Sequence, residues 1–231
     1  MQQTDVAIVG AGVAGLCAAL QLQEENLQVQ VFEASDAVGG RIKTDKVDGF
    51  LLDRGFQVFL TAYPEAQRWL NYEALGLKHF DAGAISYYDE KMYSVYDPYR
   101  HPWQALRTAL VPFAGLKDAF ALRALHQHAH AKSIAKLLAE TEMSSDAWLR
   151  KWNFRKSLVY ALIKPFFTGV FLDHELATSS RMFTFLLKMF SEGYASLPEQ
   201  GMQAIPEQLA SRLQPQELHL NTAVTKIEKN K

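Results

Sequence analysis

The sequence has one cysteine, Cys17, among 231 residues. No intrachain disulfide can form, and a cysteine-based zinc cluster is excluded. The scarcity fits a reducing compartment. An excess of one charge sign is also lacking: 24 basic and 25 acidic side chains leave a net charge of -1. That balance gives no electrostatic footprint for nucleic acid. The basic runs are too short for a polybasic membrane patch. No apolar run reaches the ~18 residues that a transmembrane helix requires; the nearest, Val159 to Leu172, is broken by Lys164 and Pro165. Asp5 interrupts the first apolar run and a glycine-rich turn follows, which does not read as a signal peptide. Repeats and low-complexity tracts are absent too. What remains is 48% apolar and 21% charged, ordinary proportions for a globular chain. The expectation is a soluble cytoplasmic protein of one large domain or two small ones, with a sizeable core.

Val6 to Val9 is a short apolar run ending at Gly10, as in a buried parallel strand. Val13 to Gln23 follows as a helix whose first half is apolar all round, so it is expected to be buried. Gln28 to Glu33 alternates as a second strand. Phe50 to Leu52 and Phe56 to Leu60 read as strands, and Tyr63 to Leu75 as a helix with Pro64 near its start and Gly76 at its end. Ala84 to Tyr96 reads as a hairpin turning at Asp89-Glu90-Lys91. Leu116 to Glu140 has a long helical pattern, and shorter helices are expected over 146–153, 156–163, 180–191 and 206–213. Leu218 to Glu228 is strand-like again.

The chemistry-bearing motif is Gly10-Ala11-Gly12-Val13-Ala14-Gly15, which fits G-x-G-x-x-G. It follows a strand, opens a helix, and is followed by an acidic residue, Glu33, at the end of the second strand. That is the context of a dinucleotide fingerprint. Gly10 permits the tight turn, Gly12 leaves room for a pyrophosphate, and Gly15 lets helix and strand pack closely. The helix N-terminus offers N–H groups and about half a positive charge to phosphates. Glu33 can accept hydrogen bonds from an adenosine ribose, and its charge repels a 2'-phosphate.

The next segment decides between dinucleotides. After Glu33-Ala34 comes Gly39-Gly40-Arg41-Ile42-Lys43-Thr44. A glycine pair suits a second backbone approach to phosphate, with Arg41 supplying charge. Here the sequence resembles the FAD-dependent amine oxidase, protoporphyrinogen oxidase and phytoene desaturase superfamily, whose members carry the fingerprint, then E-A, then G-G-R-x-x-T. Phe50-Leu51-Leu52-Asp53-Arg54-Gly55-Phe56-Gln57 is similar to its strand and D-x-G turn, which implies that Gly55, Phe56 and Gln57 lie toward the flavin end of FAD. Leu197 to Pro206 is similar to its P-x-G-G-M segment, with Gln200 in place of the first glycine. Leu220 to Glu228 resembles the strand returning to the cofactor domain, which implies a backbone contact from Val224 to adenine.

The resemblance implies an α/β fold: a discontinuous Rossmann-like FAD-binding domain with a mostly helical substrate or cap insert. The expected segments are 1–60 and 195–231 for the FAD domain and 61–194 for the insert. The implied activity is that of an FAD-dependent oxidoreductase. Its flavin accepts a hydride from a C–N or C–C bond of a small or apolar substrate. The visible motifs demand no acid–base residue, and none is assigned as catalytic. Two other readings stay open. One is a truncated, non-catalytic FAD- or ADP-binding module, because the superfamily's further glycine-containing motif is not found after Ile227. The other is an NAD-dependent dehydrogenase, against which Gly39-Gly40-Arg41 speaks. The expected partner is a small-molecule substrate rather than nucleic acid. Peripheral membrane contact and oligomeric state are left open by the sequence.

Other features invite chemistry but read more simply. His126 and His130 share a helix face, yet Gln127 stands where a zinc protease motif has Glu, so a solvated helix face is expected and no metal. Cys17 reads as a small core residue. Tyr87, Tyr88, Tyr93, Tyr96, Tyr99 and Trp103 read as hairpin and core packing, with a cavity for an apolar substrate as the alternative. The apolar stretch Phe183 to Phe190, interrupted by Lys188, reads as a core helix rather than a membrane contact. Lys164, before Pro165, reads as a structural or surface lysine.

Overall fold

The computed structural model describes residues 4–55, 58–108 and 110–228. They form two compact units. One takes the chain up to His79 together with the chain from Ala195; the other is Phe80–Tyr194.

In the first unit, strand β1 (Val6–Val9) leads into helix α1 (Val13–Glu24) and strand β2 (Val29–Phe32). β1 and β2 pair in parallel, Val6 opposite Val29 and Val9 opposite Phe32. The crossover helix buries Leu16, Ala19 and Leu20 with Val29 and Val31 of the sheet. α1 is not buried all round, however: Ala14 and Ala18, one turn apart, are exposed. A methyl group is small enough that such exposure costs little.

A hairpin follows, β3 (Thr44–Val47) and β4 (Phe50–Asp53), paired antiparallel. Asp48 and Gly49 at its tip both have positive φ, as a tight two-residue turn with a right-handed strand twist demands. Then come β5 (Phe59–Leu60), α2 (Pro64–Trp69), α3 (Tyr72–Leu75) and β6 (Lys78–His79). The single helix expected over 63–75 is thus two. Leu70 is extended, and the Asn71 side chain accepts the Ala74 N–H at 3.1 Å, starting a new helix. These elements pack with the first unit: Trp69 is buried with Leu16 and Leu20, and Phe59 and Leu75 with Met202 and Ile205. The boundary after residue 60 expected from the sequence therefore lies after His79.

The second unit opens with the hairpin β7 (Gly83–Tyr88) and β8 (Lys91–Tyr96). Helices follow: α4 (Pro102–Thr108), α5 (Leu116–Ala131), α6 (Ile134–Leu138), α7 (Ser145–Arg150) and α8 (Lys156–Leu158). A π-helix at Val159–Ile163 runs directly into α9 (Lys164–Phe171), and α10 (Ser180–Glu192) closes the unit. The long helical pattern of 116–140 is broken because Lys132 is extended and Ser133 caps α6. Phe113, Trp148, Leu158, Phe167, Leu176 and Phe183 form the core, with the Phe167 and Phe183 rings stacked at 3.8 Å. The aromatic set of the hairpin divides by strand parity: Tyr88 and Tyr93 pack edge-on against Phe113, whereas Tyr87 is exposed, as is Trp103 of α4. Phe183, Leu186 and Met189 of α10 are buried, and so is Lys188, whose ammonium group donates to the Ala129 and His130 carbonyls and to Glu192.

The histidines of α5 do not form a solvated face. His126 stacks between Tyr99 and His130; His128 meets Glu140 at 3.1 Å; His130 meets Ser191 at 2.8 Å and Glu192 at 3.4 Å. They tie α5 to its neighbours because i, i+2 and i+4 positions spread over more than one face of a helix. Among the described residues no group of three or more His, Cys, Asp or Glu side chains is arranged to hold a metal ion.

The chain re-enters the first unit with β9 (Ala195–Leu197), which lies between β5 and β6 in an antiparallel sheet. Helix α11 (Ala204–Ala210) packs on α1, and β10 (Leu218–His219) adds to β2 in parallel, giving the order β1-β2-β10. The strand expected over 218–228 is only these two residues. Asn221 takes a left-handed backbone, φ 55°, which ends the pairing.

Candidate functional site

The fingerprint loop lies between β1 and α1. Gly10 has φ 98°, a conformation that side chains rarely adopt, and its N–H donates to the Phe32 carbonyl at 2.8 Å. Gly15 is forced by packing: a Cβ there would lie 2.1 Å from the Gly10 carbonyl oxygen. Gly12 is different. A Cβ there would meet nothing within 4 Å. Its hydrogen is therefore not needed for the protein's own packing, and the space over it is open. Gly12 is also the N-cap of α1, and that helix start has no side-chain cap and no acidic residue in its first turn. N–H groups left over at a helix start attract anions. Val13 and Ala14 form that first turn, Val13 half-buried and Ala14 exposed.

Glu33 stands just past β2. One carboxylate oxygen accepts the Ala11 N–H at 2.8 Å; the other accepts the Ser35 N–H at 2.9 Å and the Ser35 hydroxyl at 2.7 Å. Lys43 donates to the Ser35 hydroxyl oxygen at 3.4 Å. Burial pushes the Glu33 pKa up, but these N–H and O–H donors and the Lys43 charge outweigh it, so the pKa lies below the ordinary glutamate value. Glu33 is therefore a fixed anion beside the loop. Ser35 and Lys43 escaped the sequence reading; a hydroxyl residue two positions past an acid, able to bond back to it, was the available signal. Ala34 is exposed next to them.

The glycine pair closes on the fingerprint. The Gly39 N–H donates to the Ala11 carbonyl at 2.9 Å, and Gly12 and Gly39 form an isolated parallel bridge. Gly39 has φ 118° and Gly40 φ 58°; a Cβ on Gly39 would lie 2.3 Å from the Ile42 carbonyl oxygen, and one on Gly40 would lie 3.5 Å from the Gly12 Cα. The positive φ at both positions, and the Ile42 carbonyl oxygen beside Gly39, make glycine the residue that this turn requires. Arg41 is exposed directly after them.

Further along, the Asp53 carboxylate accepts the Thr44 hydroxyl at 2.5 Å and the Met202 N–H at 2.9 Å. Thr44 and Gln203 are paired twice, Thr44 N–H to the Gln203 side chain and Gln203 N–H to the Thr44 hydroxyl, both at 3.0 Å. Gly201 has φ 86° and lies so close to Thr44 that a Cβ would meet its side chain at 2.4 Å. The G-M segment is thus stitched to the β3–β4 hairpin, and Gln200, in place of a glycine, is exposed at its edge. Gly55 has φ 89° and is exposed beyond β4. Phe56 and Gln57 lie outside the described residues. Val224 lies past the short β10 in irregular chain; the nearest anchors are Asn221 N–H to the Ser35 carbonyl and Thr222 N–H to the Glu33 carbonyl, 2.9 and 2.7 Å. The structure thus brings together Gly10 to Gly15, Glu33, Gly39 and Gly40. Cys17 is half-buried against the core beneath, where burial pushes its thiol pKa up and keeps it protonated.

A family profile described as Flavin containing amine oxidoreductase matches residues 13–231. Protoporphyrinogen oxidase 2, chloroplastic/mitochondrial, of Arabidopsis thaliana is 41% identical over 81 residues, 35% of this chain and 16% of that protein. A 4,4'-diapophytoene desaturase of Staphylococcus haemolyticus is 50% identical over 50 residues, 22% of this chain and 10% of that protein. Among solved structures, putrescine oxidase bound to putrescine superposes with a TM-score of 0.64 at 22% identity, over 95% of this chain and 51% of that one. The chain thus spans about half the length of that solved relative, and its matches to the curated relatives span smaller shares.

Proposed function

Because this chain belongs to the flavin containing amine oxidoreductase family, we propose that the loop cluster of its first unit binds FAD and that the whole protein is an FAD-dependent oxidoreductase. The observation that carries the proposal is the uncapped start of α1 under the open space at Gly12, walled by Gly39 and Gly40. A pyrophosphate fits this cradle on three counts: room without a side chain, backbone donors, and no resident carboxylate in the first helical turn. Arg41 adds positive charge beside it. Glu33, held ionised, accepts the ribose hydroxyls with the lone pairs that Ala11 and Ser35 leave over. Ala34 continues that wall. The backbone of Val224 serves the adenine, and the turn at Gly55-Phe56-Gln57 serves the flavin end.

FAD held here would supply the redox chemistry, acceptance of a hydride from a C–N or C–C bond of a small or apolar substrate. The chain's own task is to bind and orient the cofactor. Residues 80–194 are assigned to the substrate or cap role, and no residue is assigned to acid–base work.

Calorimetric titration of the chain with FAD, ADP and NAD tests the proposal. FAD is expected to bind most tightly, with ADP weaker and NAD weakest. Preference for NAD overturns it. ADP binding as tightly as FAD, without flavin reduction by any amine or desaturase substrate, favours a nucleotide-binding module instead.

A further inference from the structure

The second unit holds a cavity of about 350 Å³ between α7, α8 and the π-helix, remote in sequence from every residue of the proposed cofactor site. That volume lies in the range of small-molecule pockets. Three cations line it, Arg150, Lys156 and Lys164, against one anion, Asp146. Asp146 is already engaged: it is ion-paired with Arg150 one helical turn along α7. Among the described residues neither lysine ammonium group has an ion-pair or hydrogen-bond partner. The cavity therefore carries two uncompensated positive charges.

Its other lining is apolar. Leu149 is buried at the floor, and Val159 and Phe154 are half-buried beside it. Tyr160 stands at the mouth, 66% exposed, with a phenol able to donate. The π-helix shapes this wall: the Lys164 N–H donates to the Val159 carbonyl five residues back, a wide turn that is frequent at functional sites. Asn153, also on the lining, ends the turn after α7 with φ 56°.

We propose that this cavity binds a small amphipathic carboxylate, its hydrocarbon body on Leu149, Phe154 and Val159 and its carboxylate between Lys156 and Lys164. Two like charges around one opening are relieved by an anion, and an apolar floor distinguishes an organic acid from inorganic phosphate. Every residue that lines the site belongs to the second unit.

Calorimetric titration of the whole chain with octanoate, octanol and inorganic phosphate tests this. Octanoate is expected to bind at least tenfold more tightly than octanol or phosphate, and more weakly as salt is raised. The double variant K156Q/K164Q, both positions solvent-accessible, is expected to melt like the parent and to lose octanoate affinity at least tenfold. Unchanged octanoate affinity in that variant overturns the site. Octanol binding as tightly as octanoate overturns the anionic assignment, and phosphate binding as tightly overturns the apolar one. Should K156Q/K164Q melt differently, Tyr160→Phe with the salt series decides in its place. A salt-independent affinity there overturns the proposal.

Discussion

The Glu33 carboxylate accepts the backbone N–H of Ala11 at 2.8 Å, so the acid that ends β2 also holds the loop that begins α1. The residue proposed to recognise a ribose is at the same time part of the loop's scaffold. Glu33→Ala is expected to weaken FAD binding by ~1–3 kcal/mol, the scale of a hydrogen bond to a charged group. It is also expected to lower the melting temperature, because the Ala11 and Ser35 donors lose their acceptor. Calorimetry and a thermal melt read the two effects. An unchanged FAD affinity with a lowered melting temperature would leave Glu33 with the scaffold role alone.

Gly12 and Gly15 are expected to fail in opposite ways. Gly12→Val adds a side chain to open space, so the chain should fold as before and bind no FAD. Gly15→Ala removes a helical glycine, worth ~1 kcal/mol of stabilisation on propensity alone. The Cβ lying 2.1 Å from the Gly10 oxygen reverses that sign, at an overpacking cost of ~1–3 kcal/mol or more. Circular-dichroism melts of both variants, with FAD titration of the first, check the contrast.

The β7–β8 turn offers a stabilising substitution. Asp89 and Glu90 both hold left-handed backbones, φ 49° and 60°. The strain at Glu90 is ~1–2 kcal/mol, and a glycine costs ~0.5–1 kcal/mol of unfolded-state entropy. Glu90→Gly is therefore expected to stabilise the second unit by up to about 1.5 kcal/mol. A urea midpoint that falls would show that the side chain compensates for its backbone.

Acid is expected to act in two stages. Burial, and then repulsion by His130, hold His126 below its ordinary pKa. The folded state then binds fewer protons than the unfolded one once pH falls below about 6.5. Stability declines from there as pH drops through the folded value. The second stage belongs to Glu33 and Asp173. Glu33 is lowered by its donors against the opposing effect of burial; Asp173 is lowered by the Thr178 N–H and hydroxyl. Carboxylates of lowered pKa contribute stability above about pH 4 that is lost as pH falls through their folded values. Urea midpoints from pH 8 to 3 should show both declines, and His126→Gln should remove the first.

The β-α-β start and its glycine-rich loop were legible in the sequence, and several element ends were not. Gly10, Gly12, Gly15 and Glu33 could be read because each answers to a local demand: a turn, an open face, a tight crossing, an anchored anion. The elements misjudged were those whose ends depend on single residues. Asn71 and Ser133 each restart a helix where the apolar spacing runs on unbroken, and Asn221 stops a strand in the middle of a good alternating pattern. Cap and left-handed signals were present at each and were outvoted by periodicity. The Thr44–Gln203 pairing joins residues far apart in sequence, and no local rule reaches it.

The bond from Gly39 N–H to the Ala11 carbonyl, with the bridge at Gly12, has a thermodynamic consequence. Two glycine-rich loops, each floppy alone, are fastened to one another before any ligand arrives. Their conformational entropy is spent during folding, so the nucleotide proposed for this cradle would have less disorder to quench and would keep more of its contact energy as affinity.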